Sequence, residues 1–137
     1  MTFNLSSPWR IEIRPARMIV KDKDLYEHLS SLTIGVGSHM KHLLKKAEGF
    51  GNKCRWVVFL FYLNNRIVAW AMLLGNFISI FVEEQHRRKG IGSKIIEEAW
   101  IYSNMNCPIR PRPLIASTWN ESSNSFFEYN KQLCGKM

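Results

Sequence analysis

Residues 87–94 of this chain combine four cations, Arg87, Arg88, Lys89 and Lys94, with two glycines, Gly90 and Gly92. Those types in that order suit the capture of an anion. The first turn of a helix exposes backbone N–H groups without intrahelical acceptors, and its dipole adds partial positive charge. Glycine lets a phosphate approach that backbone closely, while arginine and lysine add full charges around it. Immediately upstream stand two carboxylates, Glu83 and Glu84. A burial-raised pKa would make either a proton acceptor; solvated, they would simply pair with the adjacent arginines.

The elements that must position these residues are legible on both sides. Residues 77–82, FISIFV, are short, apolar and rich in β-branched and aromatic types, as a buried strand requires. From Ile91 the apolar period becomes helical: Ile91, Ile95, Ile96, Ala99 and Trp100 share one face, and Lys94, Glu97 and Glu98 fall on the other. The unit is a strand, a basic glycine loop and a helix. It is neither a Gly-x-Gly-x-x-Gly dinucleotide fingerprint nor a triphosphatase loop, since no Gly-Lys-Ser/Thr follows.

The rest of the chain supplies a scaffold. Ile11 and Ile13 alternate with Glu12 and Arg14, predicting a half-exposed strand that Pro15 ends. Asp22 or Asp24 is placed to cap a helix to about Leu32, with Leu25, His28, Leu29 and Leu32 on one face. Gly35 and Gly37 break it, and Ser38 opens a second helix to about Ala47. His39 and His42 lie one turn apart with no third ligand apparent, so no metal site is expected. Residues 49–53 read as a turn. Apolar strands at 55–63, 66–74 and 77–82 are separated by Asn64-Asn65 and Gly75-Asn76, the pattern of an antiparallel meander. Trp56, Phe59, Phe61 and Trp70 read as core between helices on both sides of the sheet. A proline-rich connection at 107–113, a short strand at 114–117 and a helix over about 121–131 complete the chain.

Arg87-Arg88-Lys89-Gly90-Ile91-Gly92 resembles the Arg/Gln-x-x-Gly-x-Gly/Ala motif of the GCN5-related N-acetyltransferase (GNAT) superfamily. Ile80-Phe81-Val82 is similar to that family's fourth strand and residues 93–104 to its third helix. The resemblance implies an α/β (α+β) fold with a mixed, mostly antiparallel central sheet in the order β-α-α-β-β-β-α-β-α. It implies that backbone groups at Ile80, Phe81 and Val82 bind the acyl group and pantetheine arm of acetyl-CoA, with an N–H near Val82 serving the oxyanion. Arg87, Arg88, Lys89, Gly90, Ile91 and Gly92, continued by Ser93 and Lys94, would hold the pyrophosphate. Asn120 matches the family's asparagine on the pantetheine arm, and Ser123 the small position after it.

Departures from the family pattern fall on the proton chemistry. Where the family often carries a tyrosine as general acid, this chain has Phe127; Tyr129, in Tyr129-Asn130-Lys131, replaces it only if the register slips. Where some members place a glutamate on the fifth strand, this chain has Ile115, which leaves Glu83 and Glu84 as the nearest candidate bases. The family's two C-terminal strands are expected to be missing, with the chain ending directly after the last helix. That would leave a strand edge near 114–117 open to a second copy or a partner chain.

At 137 residues the chain is read as one domain, 1–137, with 46% apolar residues. Its net charge of +8 favours an anionic partner: CoA phosphates, nucleic acid or an acidic protein surface. No apolar run approaches the ~20 residues of a membrane span. Three cysteines without metal-like spacing, and a start lacking a basic then apolar stretch, fit a reducing cytoplasm. The function expected is transfer of an acetyl group from acetyl-CoA to an amine of a protein or small molecule. Two alternatives stand beside it. One is a catalytically degenerate binding or assembly module, for which Phe127, Ile115 and the missing strands argue. The other is nucleic-acid binding through Arg10, Arg14, Arg17, Arg110 and Arg112. Two glycines kept beside three cations favour the first.

Overall fold

The three apolar runs fold as the alternation and turn dipeptides require. In a computed structural model, describing residues 7–32, 39–105, 114–116 and 134–136, they form strands β2 (Val57–Leu63), β3 (Arg66–Leu74) and β4 (Phe77–Val82), paired antiparallel. The β2–β3 turn holds Asn64 and Asn65 at φ of 52° and 64°, the left-handed pair that asparagine tolerates in a tight hairpin. Strand β1 (Trp9–Pro15) adds antiparallel to β2, from Trp9 opposite Leu63 to Pro15 opposite Val57.

Both faces of this sheet are buried, by different helices. Phe59, Phe61, Ala71 and Ile78 pack against Ile91, Ile95, Ile96 and Ala99 of helix α4 (Ile91–Asn104). On the other face Leu60, Trp70, Met72 and Phe81 meet Ile19, Leu29, Leu44 and Ala47. These last four come from helices α1 (Ala16–Lys21), α2 (Lys23–Leu32) and α3 (His39–Phe50). The alternation slips once: Phe61 opposes Ala69 but Tyr62 opposes Ile67, so Val68 is the extra residue of a β-bulge. The Val68 carbonyl accepts the Glu83 N–H at 2.9 Å, tying the bulge to the end of β4.

Two findings differ from the sequence expectation in the N-terminal half. A separate helix, α1, follows Pro15, because Pro15 ends the strand and its fixed φ lets it serve as the helix's N-cap. Asp22 is the cap of α2, its Oδ1 accepting the Leu25 N–H at 3.2 Å, while its own N–H closes α1 on the Met18 and Ile19 carbonyls. Helix α3 also runs on to Phe50, past the expected stop at Ala47, before a 3₁₀ turn over Gly51–Lys53.

The larger correction concerns the other edge of the sheet. The chain does not finish on a helix without further strands: β6 (Cys134–Lys136) pairs parallel with β5 (Leu114–Ala116), which pairs parallel with β4. The order is β1-β2-β3-β4-β5-β6. The edge near 114–117, expected to be open, is therefore covered on both sides. Three residues, one of them Gly135, carry no strand signal of their own; they pair because β5 offers a row of backbone groups that need partners. The helix expected over about 121–131, and with it Asn120, Ser123, Phe127 and Tyr129, lies outside the described residues.

Helix α4 is held almost wholly by its apolar face, on which Ile95 and Ile96 are fully buried. Replacing Ile95 by Ala is expected to lower unfolding free energy by about 2–5 kcal/mol, through lost transfer energy and the cavity left behind. Glu97→Ala, at an exposed position of the same helix, is expected to change it by less than about 0.5 kcal/mol. Chemical denaturation of the two variants checks this; equal losses would contradict the packing described.

Candidate functional site

The candidate site begins where the described β4–β5 ladder stops. The described β4–β5 ladder consists of Phe77 opposite Ile115 and Ile78 opposite Ala116. Ile80, Phe81 and Val82 lie beyond it. The Glu83 N–H bonds to β3, and backbone direction alternates along a strand, so Phe81 also faces β3 while Ile80 and Val82 turn their amide groups away from it. That side of β4, past Ile78, has no strand partner among the described residues. Ile80 and Val82 pack their side chains towards α4.

Helix α4 starts beside this end of β4. Its N-cap is Gly90 at φ 85°, and no side chain caps the first turn. The first helical bond within it runs from the Lys94 N–H to the Gly90 carbonyl at 3.0 Å. Three residues before the helix, Arg88 adopts φ 64°, also left-handed but without glycine's freedom. Left-handed residues within a turn direct successive N–H groups into one concavity, an arrangement that binds anions. Arg88 therefore holds its charge in a strained conformation just before the helix.

The cations of the loop divide into two kinds. Arg87 is folded back, its Nε donating to the Val82 carbonyl at 3.0 Å, which pins the loop to the end of β4. Lys94 is engaged along its own helix with Glu97 at 3.2 Å and Glu98 at 3.6 Å. Arg88 and Lys89 make no ion pair among the described residues, and Arg88 is exposed. They are the charges available to a ligand.

The two carboxylates also part company. Glu83 is only 14% exposed and takes a two-pronged grip from Arg66, at 2.7 Å and 3.3 Å. His86 closes the group, with its Nε2 at 3.4 Å from Arg66 and 3.7 Å from Glu83. Burial, and then the nearby Lys89, push the imidazole below its ordinary value, against the pull of Glu83. His86 is accordingly neutral at pH 7 and adds no positive charge to the Arg66 side. Its Nδ1 is buried without a partner. Glu84, by contrast, is exposed at the start of the 3₁₀ turn Glu84–His86.

The sequence placed Ile80 to Lys94 in one site, and they do lie around one strand end and one helix start. What it missed is the brace formed by Arg66 and His86. Arg66 is 17 residues from Glu83 and opens β3, so only the strand register brings them together. His86 was within the charged run but carried no signal of its own. A shallow cavity of about 710 Å³ at Arg14, Met18 and Asp24 lies at the opposite end of the sheet from the glycine loop.

No protein-family model matches the chain, and no curated protein matches it in sequence. Solved structures do match in fold. The aminoglycoside N-acetyltransferase AAC(6')-Iy in complex with CoA is similar at 16% identity, over 94% of this chain and 88% of that one, with a TM-score of 0.59. The Salmonella typhimurium acetyltransferase that modifies the N-terminal serine of ribosomal protein L7/L12 follows at 13% identity, 92% and 80% coverage and a TM-score of 0.57. A predicted acetyltransferase with acetyl-CoA from Clostridium acetobutylicum matches at 11% identity, 90% and 88% coverage and a TM-score of 0.54. Identities this low speak to architecture alone. With its six-stranded sheet and its helix starting at Gly90, the chain has a GNAT-like fold.

Proposed function

We propose that this chain transfers an acetyl group from acetyl-CoA to an amine of a protein or small molecule. The observation that carries the reading is the juxtaposition of the end of β4, where the described β4–β5 ladder has stopped, with a glycine-started helix and two cations that form no ion pair among the described residues. Neighbours of the same fold were solved with CoA and with acetyl-CoA; one is an aminoglycoside N-acetyltransferase and another modifies the N-terminal serine of a ribosomal protein. In this reading the first-turn N–H groups of α4, from Ile91 to Ser93, receive the pyrophosphate, with Gly90 and Gly92 admitting it and Arg88 and Lys89 neutralising it. The pantetheine arm runs along Ile80 to Val82, with Asn120 as its second contact. The Val82 N–H polarises the thioester carbonyl and then holds the oxyanion formed when the amine attacks.

Glu84 is the proton acceptor in this scheme, directly or through water, because Glu83 is committed to Arg66 and shapes the turn. Collapse of the tetrahedral intermediate breaks the carbon–sulfur bond and releases the CoA thiolate. With Phe127 in the position of the family's acid, water protonates that thiolate. Tyr129 takes the role only in the alternative register. General-acid help is worth ~10²–10⁴-fold, so a slow enzyme is expected and not an inert one. Tyr129→Phe should then leave turnover nearly unchanged, and Phe127→Tyr should raise it. A loss of that full factor in Tyr129→Phe, with CoA affinity intact, would transfer the role to Tyr129.

Calorimetric titration tests the binding step. Gly90→Val should weaken acetyl-CoA at least about tenfold, a difference of ~1.4 kcal/mol. Gly75→Val suffers comparable backbone strain, at φ 66°, in the β3–β4 turn, and should bind as the wild type does. Equal affinities of the Gly90 and Gly75 variants would contradict the assignment.

Arg88 offers an independent check, because its conformation and its charge act in opposite directions. Arg88→Gly removes a left-handed non-glycine residue and is expected to stabilise the fold by about 1 kcal/mol. The same change should lower CoA affinity and flatten its dependence on salt. Thermal unfolding and titration at two ionic strengths measure both effects. Reduced stability, or an unchanged affinity, would show that Arg88 serves structure alone.

A further inference from the structure

Among the described residues strand β1 forms one edge of the sheet, with β2 as its single neighbour. The Ala16 N–H bonds to the Trp56 carbonyl at 2.8 Å and the Asn64 N–H to the Pro8 carbonyl at 2.9 Å. Backbone direction alternates between those anchors, so the even-numbered residues face β2 and Trp9, Ile11 and Ile13 face outward. The outward amide groups of Ile11 and Ile13 have no partner among the described residues. Side chains follow the same period. Ile11 packs towards the α4 side, where Trp9 and Ile13 are 38% and 41% exposed. The opposite side carries Arg10, Glu12 and Arg14, with Glu12 paired to both arginines.

We infer that this edge binds a second copy of the chain, β1 against β1 in antiparallel two-fold pairing centred on Ile11. Two constraints select that register. Centred on Ile11, Arg10 stands opposite Glu12 of the second copy, twice by symmetry, and Ile13 stands beside Trp9 of the second copy. Sliding by two residues in one direction sets Glu12 against Glu12 and Arg10 against Arg14; in the other it sets Arg10 against Arg10. Like charges directly opposed are unfavourable on a sheet. Sliding further, to centre the pair on Ile13, restores opposite charges but sets Ile11 against Pro15, which has no N–H to donate. Of the registers centred on residues 10 to 13, the Ile11 register alone satisfies backbone and charge together. Edge strands that avoid pairing carry charges that repel a copy of themselves, or a proline in the ladder. Here the alternation of sign makes the strand complementary to itself, and the pairing covers exposed Trp9 and Ile13. The two-fold symmetry closes the assembly at a dimer, with the two sheets continuous. This inference is independent of the acyl-CoA reading.

Sedimentation velocity of the full chain across the micromolar range is expected to show a reversible dimer. Glu12→Arg sets arginine against arginine twice and should weaken it about tenfold or more. The double swap Arg10→Glu with Glu12→Arg restores opposite signs across the pair and should recover dimerisation. Ile11→Cys should form an intermolecular disulfide on mild oxidation, since residue 11 alone faces its own copy within disulfide reach, and Ile13→Cys should not. A chain that stays monomeric throughout, leaving the edge to some other occupant, overturns the inference. So does a dimer that Glu12→Arg leaves unchanged. Should Glu12→Arg fail to fold by circular dichroism, the paired cysteine variants decide: crosslinking of Ile13→Cys equal to that of Ile11→Cys refutes the register.

Discussion

The acyl-CoA reading depends on the end of β4, where the strand keeps β3 as its neighbour and the described β4–β5 ladder has stopped. Beyond Ile78 it keeps β3 and turns the amide groups of Ile80 and Val82 to the other side, where no strand pairs with them among the described residues. Backbone N–H and C=O groups at the heart of a domain require partners. A strand edge without a strand partner, next to the start of a helix, is a place where a ligand's amides and carbonyls can complete the ladder. The scaffold holds that opening in place. The bulge at Val68 takes the Glu83 N–H, Arg66 grips the Glu83 carboxylate, and Arg87 clasps the Val82 carbonyl. Each bond fixes the end of β4 from a different direction.

The same arrangement sorts a crowded charge cluster into members with intramolecular partners and members that form no ion pair among the described residues. Of the residues between Glu83 and Lys94, those committed to intramolecular partners define the loop, while Arg88, Lys89 and Glu84 remain at the surface of the opening. Composition alone cannot make that division, because it depends on which carbonyl Arg87 meets and on Arg66 arriving from another strand. The strain carried by Arg88 at φ 64° is consistent with the division: a glycine would relieve it but would bring no charge.

Much of this architecture was readable in the amino-acid sequence. The turn dipeptides Asn64-Asn65 and Gly75-Asn76 and the two-sided apolar runs located β3 and β4 as they stand, and the helical period from Ile91 located α4. These signals are local and repeated, so each residue reinforces its neighbours. Helix α1 and strand β6 were missed because each is a single short segment formed in response to its surroundings. Pro15 marked a strand end without showing that a helix would follow, and Cys134 to Lys136 pair only because β5 is there to be paired. Arg66 and His86 were missed for a related reason, since their partnership with Glu83 exists only in the register of β3 and β4.

The central claim is that the β4 edge and the first turn of α4 form a single cradle for acyl-CoA. Backbone amide resonances followed by NMR during addition of acetyl-CoA address it residue by residue. The largest shifts are predicted at Ile80, Val82 and residues 90–93, with the Asn64-Asn65 turn unaffected. Shifts confined to other regions, or none at saturating acetyl-CoA, would contradict the account.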